Sequence, residues 1–212
     1  MSAGSSSTRQ APGRPSARLE VAGTGTLEDF TADVALQTDG DDRLSGPISI
    51  AQAEDGTRNF TAELSGNPAP LFLPDYAEFF GDAVALQLTG AARSTGEVTV
   101  SELAIDTRAL TLDGRLSLAA DGLPVRIDLT GRLASPEGSP VLLPLTSEVE
   151  TRVDGADLRI GFNAAESALW TAEFGIDGLE RSDISIDRLG LTGSGQISRG
   201  ADENRVDATF DY

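Results

Sequence analysis

The chain has 212 residues and a formal net charge of −18, and it contains no His and no Cys. A negative field of this size repels phosphate backbones and anionic lipid headgroups, so the composition disfavours nucleic-acid binding. Every one of the 16 basic residues is Arg. Serine triads, Cys nucleophiles, imidazole zinc sites and Schiff-base lysines are therefore excluded. We expect no enzymatic activity, no catalytic, cofactor-binding or metal-ligating residues, and no cofactor.

Residues 1–18 are rich in Ser, Gly, Pro and Arg and lack the apolar segment of a secretory signal. This composition predicts a disordered lead, followed by one folded region over residues 19–212. No run of about 18 apolar residues occurs, so the sequence predicts no membrane-spanning helix.

Apolar and polar residues alternate along almost the whole folded region, for example over 30–36, 60–64 and 110–118. Strands with one apolar and one charged face are typical of an open antiparallel sheet. Asp-Gly pairs at 39–40, 55–56, 113–114, 121–122, 154–155 and 177–178 predict tight hairpin turns. Roughly fourteen strands spaced by about 4.8 Å would give a sheet about 65 Å long. The sequence therefore predicts an all-β fold, a long antiparallel meander.

A loose internal repeat supports this interpretation. A Leu-x-Gly core occurs at 44–46, 112–114 and 191–193. Its glycines are separated by 114 − 46 = 68 and 193 − 114 = 79 positions. Such uneven spacing is typical of an open, solenoid-like array and not of a strict propeller.

Two segments interrupt the alternation. Residues 71–80 are predicted to form a short helix, with Pro74 in its first turn and Gly81 just past its end. Phe72, Tyr76, Phe79 and Phe80 would share one face of this helix and plug an open end of the sheet; contact with cargo is the alternative. Residues 135–145 carry three Pro and predict an ordered loop or a crossover.

The apolar members of the alternating runs are predicted to line one continuous groove. These residues are Val34, Leu36, Ile48, Ile50, Leu64, Leu86, Leu88, Val98, Val100, Leu110, Leu112, Leu116, Leu118, Ile127, Leu129, Ile160, Phe174, Ile184 and Ile186. A register slip of one residue would reverse the faces of a strand, so each assignment depends on pairing that the sequence does not give.

Segments 71–81, 109–116, 138–145, 170–174 and 189–195 together resemble the periplasmic region of TamB and the wider AsmA-like family, over roughly residues 18–212. The resemblance implies a β-taco, a meander curled into a U that is apolar inside and charged outside. It also implies phospholipid transport between the inner and outer membranes, outer-membrane biogenesis, and protein translocation and assembly.

The same resemblance implies a periplasmic location and two kinds of partner. The partners are phospholipid or other apolar cargo and an outer-membrane barrel of the TamA type. The anchor and the barrel-docking domain of that family have no counterpart here. We therefore expect the chain to be an internal segment of a longer, inner-membrane-anchored protein.

Two other functions remain open on the sequence. An extracellular adhesin or autotransporter-type β-solenoid passenger would share the repeats and the acidity, but its apolar stripe would be packed inside a closed solenoid. A glycosidase with two carboxylates would need an aromatic cleft, and one Trp and two Tyr disfavour it.

Overall fold

The computed structural model describes residues 17–26, 28–71, 76–145, 149–199 and 204–211. These residues form an open antiparallel sheet with one short α-helix, and the sheet is not closed into a barrel. The predicted all-β meander with a short helix is confirmed. The first strand among the described residues begins at Ala17.

The strands are β1 Ala17–Gly25, β2 Asp29–Thr38, β3 Asp41–Gln52, β4 Arg58–Gly66, β5 Val84–Ala92, β6 Val98–Asp106, β7 Leu110–Leu118, β8 Pro124–Ala134, β9 Val141–Leu142, β10 Thr151–Val153, β11 Gly155–Asn163, β12 Leu169–Arg181, β13 Ile184–Arg199, β14 Asn204–Val206 and β15 Thr209–Asp211. A 3₁₀ turn, Ala69–Leu71, and the helix α1, Ala77–Phe80, lie between β4 and β5.

Each strand from β1 to β7 pairs with the next one along the chain. Strand β8 then pairs with β11, which continues through β12 to β13. The short strands β9 and β10 extend this sheet beside the end of β12. Several hairpin turns are fixed by an Asp carboxylate. Oδ1 of Asp55 accepts the Thr57 amide at 2.9 Å, and Oδ1 of Asp121 accepts the Leu123 amide at 3.0 Å.

Three of the six Asp-Gly pairs form the predicted turns, those at 39–40, 55–56 and 121–122. The prediction is wrong for 113–114 and 177–178, which lie inside β7 and β12, and for 154–155, which is a bend leading into β11. Asp113 is exposed, whereas Gly114 pairs with Leu129, whose side chain occupies the space above it. Here the dipeptide provides a charge for one face and close packing on the other.

Of the described residues within the predicted helix 71–80, Ala77–Phe80 are α-helical and Leu71 and Tyr76 are in 3₁₀ conformation. Residues 72–75, which include Phe72, lie outside the described residues. Gly81, with φ 68°, ends the helix as predicted, and its amide donates to the Ala77 carbonyl at 2.8 Å.

A buried cluster lies where α1 meets the sheet. It contains Phe79, Ala109, Leu133, Val141 and Val153. Because Val141 and Val153 pair across β9 and β10, the predicted loop 135–145 contains a short buried strand that the sequence analysis missed. The Ala109 amide donates to the Phe79 carbonyl at 3.2 Å. Residues 76–80 therefore cover one end of the strands, and we call these residues the cap.

Pairing shifts interrupt the ladders at four places, as expected for a sheet that curls. They fall between Leu36 and Gln37, Thr89 and Gly90, Val100 and Leu103, and Ser117 and Leu118. Bulges of this kind bend a strand and increase its twist.

Candidate functional site

The pairing register assembles one apolar face from β1 across to β13. Three parallel rows cross the strands on this face and contain no charged or polar side chain. The first row is Val21, Val34, Gly46, Leu64, Leu86, Ile105, Leu112, Gly131, Leu158, Phe174 and Leu191. The second is Gly23, Ala32, Ile48, Ala62, Leu88, Leu103, Gly114, Leu129, Ile160, Ala172 and Gly193. The third is Gly25, Phe30, Ile50, Phe60, Gly90, Val100, Leu116, Ile127, Phe162, Trp170 and Gly195.

Most of the predicted lining residues belong to these rows. They are Val34, Leu64, Leu86, Leu112 and Phe174 in the first row, Ile48, Leu88, Leu129 and Ile160 in the second, and Ile50, Val100, Leu116 and Ile127 in the third. Leu36 and Leu110 lie on the same face nearer α1. Val98 and Leu118 pair with each other at the opposite end of the strands.

Ile184 and Ile186 do not join the rows. The β12–β13 pairing is interrupted at Gly178, whose φ is 61°, and Ile184 and Ile186 lie beyond this interruption, two or more residues outside the rows. Ile186 pairs with Leu179 near the hairpin, and Ile184 is 53% exposed beside the turn.

The apolar face is half-buried, and the described residues place no second layer of secondary structure over it. All of the predicted lining residues except Ile184 are of intermediate exposure, and none is buried. Among the described residues, contacts between elements join neighbouring strands or involve the 3₁₀ turn and α1. An apolar patch that extends roughly 48 Å, at ~4.8 Å per strand, far exceeds what a monomeric surface normally exposes.

The second, middle row contains more small residues than either outer row. The small residues of that row are Gly23, Ala32, Ala62, Gly114, Ala172 and Gly193. Large side chains lie over glycines of the neighbouring strand. Phe60 covers Gly90, Leu129 covers Gly114, and Leu112 approaches the place of a Gly131 Cβ to 3.2 Å. The two outer rows carry more of the bulk than the middle row, whose large members are Ile48, Leu88, Leu103, Leu129 and Ile160. We call the three rows together the track.

The cap, which lies beside the track at one end of the strands, holds three of the four predicted plug residues. Phe79 is buried, and Tyr76 and Phe80 are half-buried. The rings of Phe79 and Phe80 meet edge to face, with centroids 5.0 Å apart. Tyr76 Oη donates to the Leu145 carbonyl at 3.2 Å and thereby ties the helix segment to the loop before β10.

An exposed ion pair lies beside the cap. The Arg108 guanidinium donates a hydrogen bond to Glu137, and this bond, with the charge attraction, holds the pKa of the Glu137 carboxyl below its ordinary value. The same contact raises the pKa of Arg108. Because both side chains are exposed, we expect the pair to orient the loop and to add little stability.

The opposite face of the sheet is polar and charged. Ion pairs join neighbouring strands there, as between Arg188 and Asp177 at 2.9 Å and Arg115 and Asp128 at 3.8 Å. A hollow of about 600 Å³ lies on this face over β7 to β13, where Gly175 and Gly190 leave open space. No group of three or more acidic side chains within the described ranges is arranged to hold a metal ion.

Several residues of the apolar face were missing from the predicted set. They are Phe30, Phe60, Leu103, Ile105, Leu158, Phe162, Trp170 and Leu191. Their alternation was visible in the sequence, but only the register shows that they continue the same rows. Trp170 packs against Phe210 with ring centroids 6.3 Å apart, and its Nε1 donates to the Asp207 carbonyl at 3.0 Å.

Within the described part of the chain, no helix has the length and apolar character needed to cross a bilayer. Comparisons with protein-family models, with curated proteins and with solved structures give no match to this chain.

Proposed function

We propose that the apolar face is a binding track for acyl chains or similar apolar cargo. The observation that carries this proposal is the continuity of three apolar rows across eleven strands, β1 to β8 and β11 to β13, over which the described part of the chain places no second layer. A continuous face presents the same chemistry at every strand, so cargo meets no charged barrier as it moves across the sheet.

The energy scale supports a carrier of this form. Removing an acyl chain of about sixteen carbons from water is worth roughly 13 kcal/mol, at about 0.8 kcal/mol for each CH₂. A protein that holds such a chain must offer a long apolar surface, and the rows supply one. The charged opposite face keeps the sheet soluble while the apolar face remains available.

The resemblance to TamB and the AsmA-like family extends the proposal to a place in the cell. In that setting the chain is a segment of a periplasmic bridge that moves phospholipid between the membranes and serves outer-membrane biogenesis and protein translocation and assembly. A barrel of the TamA type would be engaged by other regions of the same protein. The half-exposed rows favour this proposal over a passenger solenoid, whose stripe would be packed, and we infer that the chain is not an enzyme.

The test is lipid retention by the purified chain, produced in a Gram-negative host without detergent. Native mass spectrometry and lipid extraction are expected to detect bound phospholipid. Leu112→Asp is expected to reduce retention about tenfold, because an unpaired carboxylate in the track disfavours an acyl chain by roughly 1.4 kcal/mol.

The matched control is Thr111→Asp, which adds the same charge to the adjacent exposed position on the polar face. Retention by this variant is expected to equal that of the parent. A folded, lipid-free parent chain would refute the proposal, and so would an equal loss in both variants when circular dichroism shows both to be folded.

A further inference from the structure

Within the described residues, strand β1 is an edge of the sheet. All nine of its residues are exposed, including Leu19 at 66% and Val21 at 52%. It pairs with β2 without any register shift and with no other strand in the described part of the chain. Natural edges are usually short, bulged, or interrupted by Pro, because an open row of main-chain groups recruits another strand. Strand β1 is nine residues long and has neither a bulge nor a Pro, and its charged residues are Arg18 and Glu20.

The pairing geometry identifies which main-chain N–H and C=O groups of β1 make no hydrogen bond to β2. The Thr26 amide donates to the Asp29 carbonyl at 2.9 Å, so the main-chain groups of Thr26 point towards β2. Successive residues of a strand point their N–H and C=O groups to opposite sides. The main-chain groups of Leu19, Val21 and Gly23 therefore point away from β2, and those of Ala22 point towards it.

The residues before β1 are poorly suited to cover this edge. Residues 1–16 contain Pro12 and Pro15 among Ser and Gly, and these residue types are depleted in strands. A second copy of β1 is better suited than residues 1–16 to pair with this edge. In an antiparallel pair centred on Val21, Leu19 lies opposite Gly23 and Glu20 lies opposite Ala22. A pair centred on Glu20 would oppose two carboxylates, which is unfavourable.

The register centred on Val21 repeats the packing already present in the sheet. Leu19 over Gly23 matches Leu129 over Gly114 and Phe60 over Gly90, where a large side chain lies on a glycine of the neighbouring strand. The two-fold axis of such a pair is perpendicular to the sheet. Both apolar faces then lie on the same side, and the first row of one copy continues into the first row of the other.

We propose that β1 joins two copies of this chain edge to edge as a symmetric dimer with Val21 opposite Val21. This proposal does not depend on the cargo. Two nine-residue edges bury less area than a standard interface, and each copy carries a charge of −18. The dimer is therefore weak, and added salt strengthens it by screening the repulsion.

Sedimentation velocity across a range of concentrations and salt tests the association. Val21→Pro removes an N–H that points away from β2, so it leaves the β1–β2 ladder intact and raises the dimer dissociation constant about tenfold or more. The Ala22→Pro variant is the structural control. It removes an N–H that points to β2, so we expect it to loosen β1 itself and to increase amide exchange along β2.

A cysteine placed in this Cys-free chain tests the register. Val21→Cys brings two sulfurs together at the two-fold axis and forms a disulfide-linked dimer under mild oxidation, whereas Ala22→Cys faces Glu20 of the second copy and does not. A parent chain that is monomeric at every concentration, with no Val21→Cys cross-link, overturns the proposal. Association that persists in Val21→Pro also overturns it, because it requires another surface.

Discussion

Replacing Gly46 with Ala is expected to lower the free energy of unfolding by about 2–4 kcal/mol. Gly46 lies in the middle of β3 with φ 154°, a conformation that disfavours a side chain. A Cβ at this position would overlap the main-chain carbonyl oxygen of Glu63 in β4. Relief of this overlap requires β3 and β4 to separate, so main-chain hydrogen bonds in the interior of the sheet are strained. Urea unfolding followed by circular dichroism measures the change.

Gly175→Ala is the matched control for this prediction. Gly175 also lies inside a strand, β12, but its φ is not positive and a Cβ would meet no atom within 4 Å. We expect this variant to be unchanged or stabilised by about 0.5 kcal/mol, since Ala has less freedom than Gly in the unfolded chain. Equal losses in both variants would show that close approach at Gly46 is not what shapes the sheet.

Phe79→Ala is expected to lower the free energy of unfolding by about 3–5 kcal/mol. The Phe79 ring is 7% exposed in the cluster that joins α1 to β7, β8, β9 and β10. Its removal leaves a cavity that these separate segments share, and it weakens the attachment of the cap. Thermal and urea unfolding measure the loss.

Hydrogen exchange at the Ala109 amide, which donates to the Phe79 carbonyl, reports whether the cap loosens locally. Leu169→Ala serves as the control because Leu169 is 56% exposed, and its effect should stay within about 0.5 kcal/mol. If Phe79→Ala were no more harmful than this control, the buried cluster would not be what attaches the cap.

Local alternation was sufficient to predict most of the strands. Strands β7 and β8 were predicted because Leu alternates with Thr, Asp and Arg at a period that only a half-buried strand fits. The Asp113-Gly114 pair was misleading, because its role in the strand depends on Leu129 of the next strand. Strand β9 was missed because two residues carry no period, and Val141 is buried by a helix that is distant in the chain.

The apolar face was predictable by parity within each strand, but its continuity was not. Seventeen of the predicted lining residues share the face because bulges such as that between Val100 and Leu103 keep successive strands in phase. In β13, Ile184 and Ile186 are separated from Leu189 and Leu191 by the interruption at Gly178. Both series alternate well in the sequence, so only the pairing with β12 decides which one continues the rows.

The most direct test of the central claim is paramagnetic broadening of methyl signals by a phospholipid with a nitroxide in its acyl chain. If the apolar face binds acyl chains, the methyl groups of Leu112, Ile127 and Ile160 lose intensity. Those of Val153, which is 1% exposed beneath the cap, keep theirs. Binding to the polar hollow would instead broaden Thr130 and Thr192. Broadening confined to that hollow, or none in a folded chain, would contradict the claim that the apolar face is a track for lipid.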